Sequence, residues 1–244
     1  MLQHVDPNFD SEGFITHVQQ GYDSLELMER GRKIATALKV YLPDDFNQAV
    51  TILLATLDAP VEHDEKNSIP SFIFLPHTIY VTENGIDDFK TSMQAHYQLT
   101  QRFTSEFAIR PFIQRYPEKC LVLLTQWATD SNQHVRRLVS EGTRPRLPWA
   151  SRLPEYIQDP SPVIQLLELL KDDTELYVRR SVANNLNDIG KDHPELLADI
   201  AKKWLVNASK DRLWLVKHAL RSAIKRGEPG ALQALGYGNV AEVK

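Results

Sequence analysis

One cysteine in 244 residues, Cys120, leaves no partner for a disulfide within the chain and fits a reducing compartment. No apolar run reaches membrane-spanning length, and the N-terminus lacks a basic stretch followed by an apolar one. A soluble, cytoplasmic protein with no membrane partner is therefore expected. There is no phosphate-cradling glycine loop and no nucleophile elbow. His134 and His218 have no second ligand at zinc-site spacing, so no metal site is expected. Positive charge is scarce at the front of the chain. Residues 1–100 carry 6 basic and 15 acidic side chains and residues 101–244 carry 22 and 17, within a net charge of −4. An acidic front with a basic back points to a polyanionic partner; chance clustering on a solvated surface is the plain alternative.

What is present reads as helix. Residues 9–20 form a short amphipathic segment, and residues 25–41 place Leu27, Ile34, Ala37, Leu38 and Tyr41 at helical spacing. Pro43 reads as the first-turn proline of the next helix, with Asp44 and Asp45 where the helix dipole favours them. Residues 59–70 read as a charged linker. Residues 71–82, SFIFLPHTIYVT, are strand-like in composition but broken by Pro76, and are read as a short helix or a buried extended connector. A helix then follows from Gly85 to about Leu99.

The back of the chain repeats. VRRLVSEGTR from Val135 aligns with VRRSVANNLND from Val178 at a period of 43, and LVKHALRSAIKR places Val216 38 residues further on. Each copy follows an earlier helix, over 118–128, 163–170 and 196–206. A helix pair of roughly 40 residues has the length of a HEAT repeat. Such a pair cannot bury its apolar face alone, so neighbours stack into a solenoid. The expected fold is an all-α, α-α superhelix over residues 1–244 as one domain, with an acidic helical part over 1–100 and basic repeats over 101–244. Second helices are expected to begin near 134, 177 and 213. Their polar faces carry Arg137 and Glu141, then Arg180, Asn184 and Asp188, then Lys217 and Arg221.

The run HVRRLVSEGTRPRLPW, residues 134–149, is the centre of the reading. Val135, Leu138, Val139 and Gly142 share one stripe, and Arg137 and Glu141 share another face. Gly142 can stop the helix, and Pro145 and Pro148 bar helix beyond it. Arg144, Arg146 and Trp149 are left to project from a stiff loop, and arginines on such a loop suit phosphates. Several residues also have plain structural readings. Arg136 and Arg179 can staple repeats through Asp130 and Asp173. Glu141 and Asp188 can be ordinary ion-pair partners. Trp127, Trp204 and Trp214 sit in helical patterns and read as core, whereas Trp149 does not. From the residues alone, a basic groove holding carboxylates and a tryptophan serves a nucleic-acid binder or a scaffold.

The strings SEGTRPRLPW and TSEFAIRPFI, with ALKVYLPDDF upstream and WATDSNQHVRRLVSEGTRPRLPW across the centre, resemble the AlkC-type branch of the HEAT-like DNA alkylation repair glycosylases. The resemblance covers nearly the whole chain. It implies excision of cationic N-alkylated bases such as 3-methyladenine and 3-methylcytosine from double-stranded DNA. It also implies no deep base-flipping pocket, no metal and no nucleotide cofactor. It carries catalytic roles to Glu106 in TSEF, Glu141 in SEGTRPR, Trp149 at the end of that motif and Asp188 at the end of VANNLND. Arg137 is the second arginine of HVRR. Together with Arg144, Arg146, Arg180 and Arg221 it is expected to contact DNA, and the protein is expected to be a monomer. Some members of the branch carry a C-terminal immunoglobulin-like domain. With the given sequence ending at Lys244, the likeness is to the short form. A noncatalytic scaffold binding nucleic acid or protein through the same groove is the alternative.

Overall fold

The computed structural model describes residues 1–57, 59 and 70–237, and among these every regular element is a helix. The charged linker expected over 59–70 lies almost wholly outside the described residues. The chain packs as two compact units, Met1–Arg115 and Tyr116–Lys244. The packing boundary thus falls beyond the charge boundary at residue 100.

The first unit contains α1 (Leu2–Val5), α2 (Ser11–Gln19), α3 (Leu27–Tyr41), α4 (Phe46–Ala55), α5 (Leu75–Asn84), α6 (Phe89–Thr100) and α7 (Arg110–Arg115). The proline expected to open α4 does not. Asp45 caps that helix by accepting from Gln48 N, and Pro43 stays outside it. The strand-like residues 71–82 are helical, as a 3-10 turn over Pro70–Phe74 followed by α5. Pro76 costs nothing there because it stands in the first turn, where its missing N–H has no intrahelical acceptor. Phe9, Leu38, Val50, Leu53, Tyr80 and Leu99 anchor the core.

That unit buries two histidines as neutral rings. His77 Nε2 lies 3.0 Å from Thr56 Oγ1. Both nitrogens of His96 are without a protein partner among the described residues, and its ring meets Phe112 edge-on at 5.5 Å. Burial pushes His77 down to about 4 and His96 down to about 3, from an ordinary 6.5. A histidine with a depressed native pKa adds stability above pH 6.5 that is lost as pH falls toward the native value, since only the unfolded chain takes the proton. The urea midpoint should therefore fall between about pH 6.5 and 4, and His96→Leu should flatten that slope. An equal slope in the variant would show that His96 is not a source of the acid lability.

The second unit contains α8 (Pro117–Trp127), α9 (Gln133–Gly142), α10 (Pro154–Gln158), α11 (Ser161–Leu170), α12 (Leu176–Ile189), α13 (Pro194–Leu205), α14 (Lys210–Lys225) and α15 (Pro229–Ala234). The repeat pairs are α8/α9, α11/α12 and α13/α14. The second helices begin at Gln133, Leu176 and Lys210, close to the positions expected from the VRR period. Each first helix opens on a first-turn proline, whose preset φ suits helix initiation. α9 and α14 are instead capped by the side chains of Asn132 and Ser209. α9, α12 and α14 pack side by side through Val135, Leu138, Val139, Val178, Val182, Leu215 and Val216, all buried.

Arginine staples join successive repeats. Arg136 binds Asp173 with Nε–Oδ2 at 2.6 Å and Nη2–Oδ1 at 3.0 Å, and donates to the Asp130 and Ser131 carbonyls. Arg179 donates to the Asp173 and Thr174 carbonyls and pairs with Asp211 at 3.2 Å. Arg136 and Arg179 do staple repeats, but their carboxylate partners are Asp173 and Asp211 of the next repeat; the expected Asp130 and Asp173 accept through their backbone carbonyls. Cys120 is buried, and burial pushes its thiol up to about 12, so it is no nucleophile near neutral pH. No helix among the described residues is long and apolar enough to cross a membrane.

Candidate active site

α9 ends at Gly142, and its last turn is pinned to α12. Thr143 Oγ1 donates to the Val139 carbonyl at 2.7 Å, and Asn185 Nδ2 donates to the Ser140 carbonyl at 2.7 Å. This clamp fixes both where Glu141 stands and where the following loop leaves. Residues 143–153 fold back instead of trailing into solvent. Leu147 and Leu153 are buried, and Leu153 N donates to the Pro145 carbonyl.

Arg144 is the hub of the site. Its Nη1 donates to Glu141 Oε1 at 2.6 Å and its Nε donates to Asp188 Oδ2 at 2.8 Å. Glu141 is 6% exposed, Asp188 1% and Arg144 8%. One guanidinium thus holds a carboxylate from α9 and one from α12, and the three groups together carry one net negative charge. The other oxygens are also used: Ser181 Oγ donates to Glu141 Oε2 at 2.6 Å, and Lys191 Nζ donates to Asp188 Oδ1 at 2.7 Å. Arg137 Nη2 lies 3.7 Å from Glu141 Oε1 while its guanidinium covers the Tyr177 ring at 5.2 Å. Burial works to raise the Glu141 pKa. The charges of Arg137 and Arg144 and the hydrogen bonds from Ser181 and Arg144 outweigh it and hold the carboxyl below its ordinary value. Glu141 is therefore an anion at neutral pH.

The loop presents Trp149. Arg146 binds Asp192 through two short bonds, 2.7 Å at Nε and 2.6 Å at Nη2, and so anchors the loop to the end of α12. Trp149 has φ +64, a left-handed conformation uncommon for a bulky residue, and its side chain is 98% exposed. An indole fully in water on an anchored backbone offers its face to a partner.

Sequence reasoning and structure differ at Arg144. It was expected to project toward phosphate, but it is buried and bound to two carboxylates. The physical reason is the folded-back loop, which carries it between α9 and α12. Arg146 is bound to Asp192 at the edge of the same loop. Arg180 is exposed on α12, and Arg221 is half-buried on α14. Glu106 lies in a turn of the first unit and accepts from Thr104 Oγ1. Ser181, Lys191, Asp192 and Tyr177 join the site without standing out in the sequence. A signal for Ser181 was available: aligning the two VRR copies sets it opposite the core residue Leu138, and a hydroxyl at a core register needs an acceptor.

The chain is similar to known proteins. The sequence pattern of the family described as "DNA alkylation repair enzyme" fits residues 100–226, which include both carboxylates, the loop and Trp149. The Bacillus subtilis (strain 168) protein YhaZ is 39% identical over 251 residues, taking in 100% of this chain and 67% of that protein. The structure of Pseudomonas fluorescens alkylpurine DNA glycosylase AlkC, bound to DNA containing an abasic site analog, superposes with a TM-score of 0.86 at 41% identity, over 96% of this chain and 63% of that one. The chain thus spans about two thirds of the length of these relatives. With the helical repeats, the paired carboxylates and the anchored tryptophan in the matched region, this chain belongs to the DNA alkylation repair enzyme family.

Proposed function

We propose that the protein is a DNA glycosylase that removes cationic N-alkylated bases, such as 3-methyladenine and 3-methylcytosine, from double-stranded DNA. It acts as a cytoplasmic monomer, with residues 1–244 working as one repeat domain. The observation that carries this reading is the Glu141–Arg144–Asp188 bridge beside the loop that presents Trp149. An N3-alkylated base carries positive charge and is already a good leaving group. Its departure leaves an oxocarbenium-like sugar, also cationic. Preorganised anions next to that sugar lower the barrier and can orient the attacking water. Trp149 offers its π face to the cationic base or sugar, worth roughly 0.5–2 kcal/mol. Glu106 is a third candidate carboxylate, assigned by resemblance.

Among the cations, Arg137, Arg146, Arg180 and Arg221 are the proposed phosphate contacts, and Arg144 serves instead to position the carboxylates. Charge reversal at Arg137 and Arg180 together should weaken binding to undamaged duplex several-fold and lower the slope of log affinity against log salt by about 2. An unchanged affinity and slope would remove this surface from the interface.

Selectivity tests the chemistry. Duplexes holding one 3-methyladenine, one 3-methylcytosine or one uracil should yield abasic sites only at the cationic bases. Excision of uracil at a comparable rate would contradict charge-based catalysis. Glu141 and Asp188 are also fully ion-paired, which is the arrangement a DNA-binding scaffold would have; such a scaffold would bind all three duplexes and release no base.

A further inference from the structure

The third repeat carries a polar cluster that the reaction centre does not use. Arg221 Nη1 donates to the His218 carbonyl at 2.6 Å and its Nη2 donates to Asn184 Oδ1 at 2.9 Å. Both acceptors are uncharged, and no carboxylate among the described residues pairs with this guanidinium. Burial, together with repulsion from Arg144, works against its charge and Asp188 only partly offsets this. His218 Nε2 lies 3.3 Å from the same Asn184 Oδ1. Because Arg221 must face the amide oxygen, the ring presents its N–H there, and Nδ1 is the atom that can take a second proton. Trp214, one turn earlier on α14, stacks on the imidazole at 5.1 Å between centroids and 7° between planes. Its face favours a cationic ring.

Register adds a second observation. Stepping from Val135 to Val178 to Val216 sets His218 in line with Arg137 and Arg180. The repeat thus puts a titratable base where the two earlier repeats put permanent cations. The charged groups acting on the His218 ring are Arg221 on its own helix and Arg180 on α12. Among the described residues, α13 and α15, which also pack against α14, bring none to it. Burial first, and then these two arginines, keep the imidazole below its ordinary pKa and so neutral at pH 7 while the cluster is empty.

We infer that Asn184, His218 and Arg221, backed by Trp214, form a seat for one backbone phosphate of the DNA, and that His218 takes up a proton from solvent when the phosphate enters. This rests on the DNA-binding reading above. Phosphate oxygens supply the anion that Arg221 lacks, accept from the protonated ring and cancel the repulsion from Arg180. A proton bound more tightly in the complex than in the empty protein makes affinity rise as pH falls. The gain tends to about tenfold for each unit by which the phosphate raises the histidine pKa.

The test is calorimetric titration of the full chain with a short undamaged duplex at constant ionic strength. Two buffers of different ionisation enthalpy give the number of protons taken up, and the titrations run between about pH 5.5 and 8. Wild type should take up a fraction of a proton near pH 7 and bind more tightly at the acid end. His218→Gln keeps an N–H toward Asn184 but cannot titrate, so its proton uptake should drop and its pH dependence flatten. Equal uptake by wild type and His218→Gln, with both binding DNA, would overturn the phosphate seat and leave the DNA-binding reading standing. Zero uptake by wild type would do so without any variant. Absence of binding by both proteins would overturn the seat together with that reading.

Discussion

Glu141→Gln will slow excision of a cationic base by about a hundredfold while affinity for duplex DNA holds or tightens. Glutamine keeps the shape of the side chain and removes its charge, and a stabilisation of roughly 3 kcal/mol lost only in the transition state is about a hundredfold in rate. DNA is itself an anion, so loss of a nearby carboxylate does not weaken ground-state binding. The structure adds a second consequence. Glu141 is buried, with Arg144 Nη1 at 2.6 Å on one oxygen and Ser181 Oγ at 2.6 Å on the other, so the substitution also breaks a buried ion pair. Such a break costs about 3–5 kcal/mol of stability. Thermal midpoint and single-turnover excision must therefore be measured on the same preparation, at a temperature where the variant is folded. A wild-type rate per folded molecule, whatever the midpoint, would make Glu141 a structural partner of Arg144 and nothing more.

Arg144→Met will destabilise the second unit strongly. It leaves Glu141 and Asp188 buried in the same space without the guanidinium that both bind. A loss of about 3–5 kcal/mol is expected at neutral pH, which for a chain of this size corresponds to roughly 6–20 °C in the thermal midpoint. The pH dependence gives the cause. In the wild type the pKa of Glu141 is held down, so its contribution is present above the ordinary carboxylate range and is lost as pH falls through the lower native value. In the variant only Arg137 and Ser181 oppose burial, and the expected result is a Glu141 pKa above the ordinary carboxylate value. The native state then takes up a proton before the unfolded chain does, and the deficit shrinks as pH falls through the raised value. A deficit independent of pH between about 7 and 4.5 would mean that lost packing, not unpaired charge, destabilises the variant.

Sequence periodicity was a sound guide to the repeats. Two VRR copies at a fixed interval put β-branched residues on one buried stripe, and that stripe is what packs α9, α12 and α14 together. Local composition misled where it was read without its position in an element. Pro43 suggested a helix start because first-turn prolines are common, yet Asp45 offered a better cap three residues before Gln48 N. Residues 71–82 looked strand-like because β-branched and aromatic residues are frequent there, although Pro76 needed only to stand in a first turn to permit a helix. At the site, the carboxylates, the arginines and Trp149 were all legible as residues of interest. Their partnerships were not. Arg144 looked like a phosphate ligand because a proline-flanked arginine normally points outward. Its burial depends on the return of the loop over Leu147 and Leu153, a tertiary event that no local spacing encodes. Asp188 and Asp192, four residues apart on α12 and its end, match Arg144 and Arg146, two apart on the loop. That pattern is visible in retrospect only when the two segments are known to be neighbours.

Glu141 and Asp188 sit among several cations. Arg144 is shared by two anions, and Arg137 and Lys191 also approach them, so the two carboxylates and three cations together carry one net positive charge. Trp149 stays exposed beside them, on the loop that the Arg146–Asp192 pair anchors.

The most direct measurement is release of free base from duplex DNA containing a single 3-methyladenine, followed by mass spectrometry under single-turnover conditions, with Asp188→Asn and Glu141→Gln run beside the wild type. The wild type should release the intact methylated base and leave an abasic site in an otherwise unbroken strand, and both folded variants should do so about a hundredfold or more slowly. No base release by a wild-type protein that binds the duplex, or equal release by all three proteins, would contradict this reading.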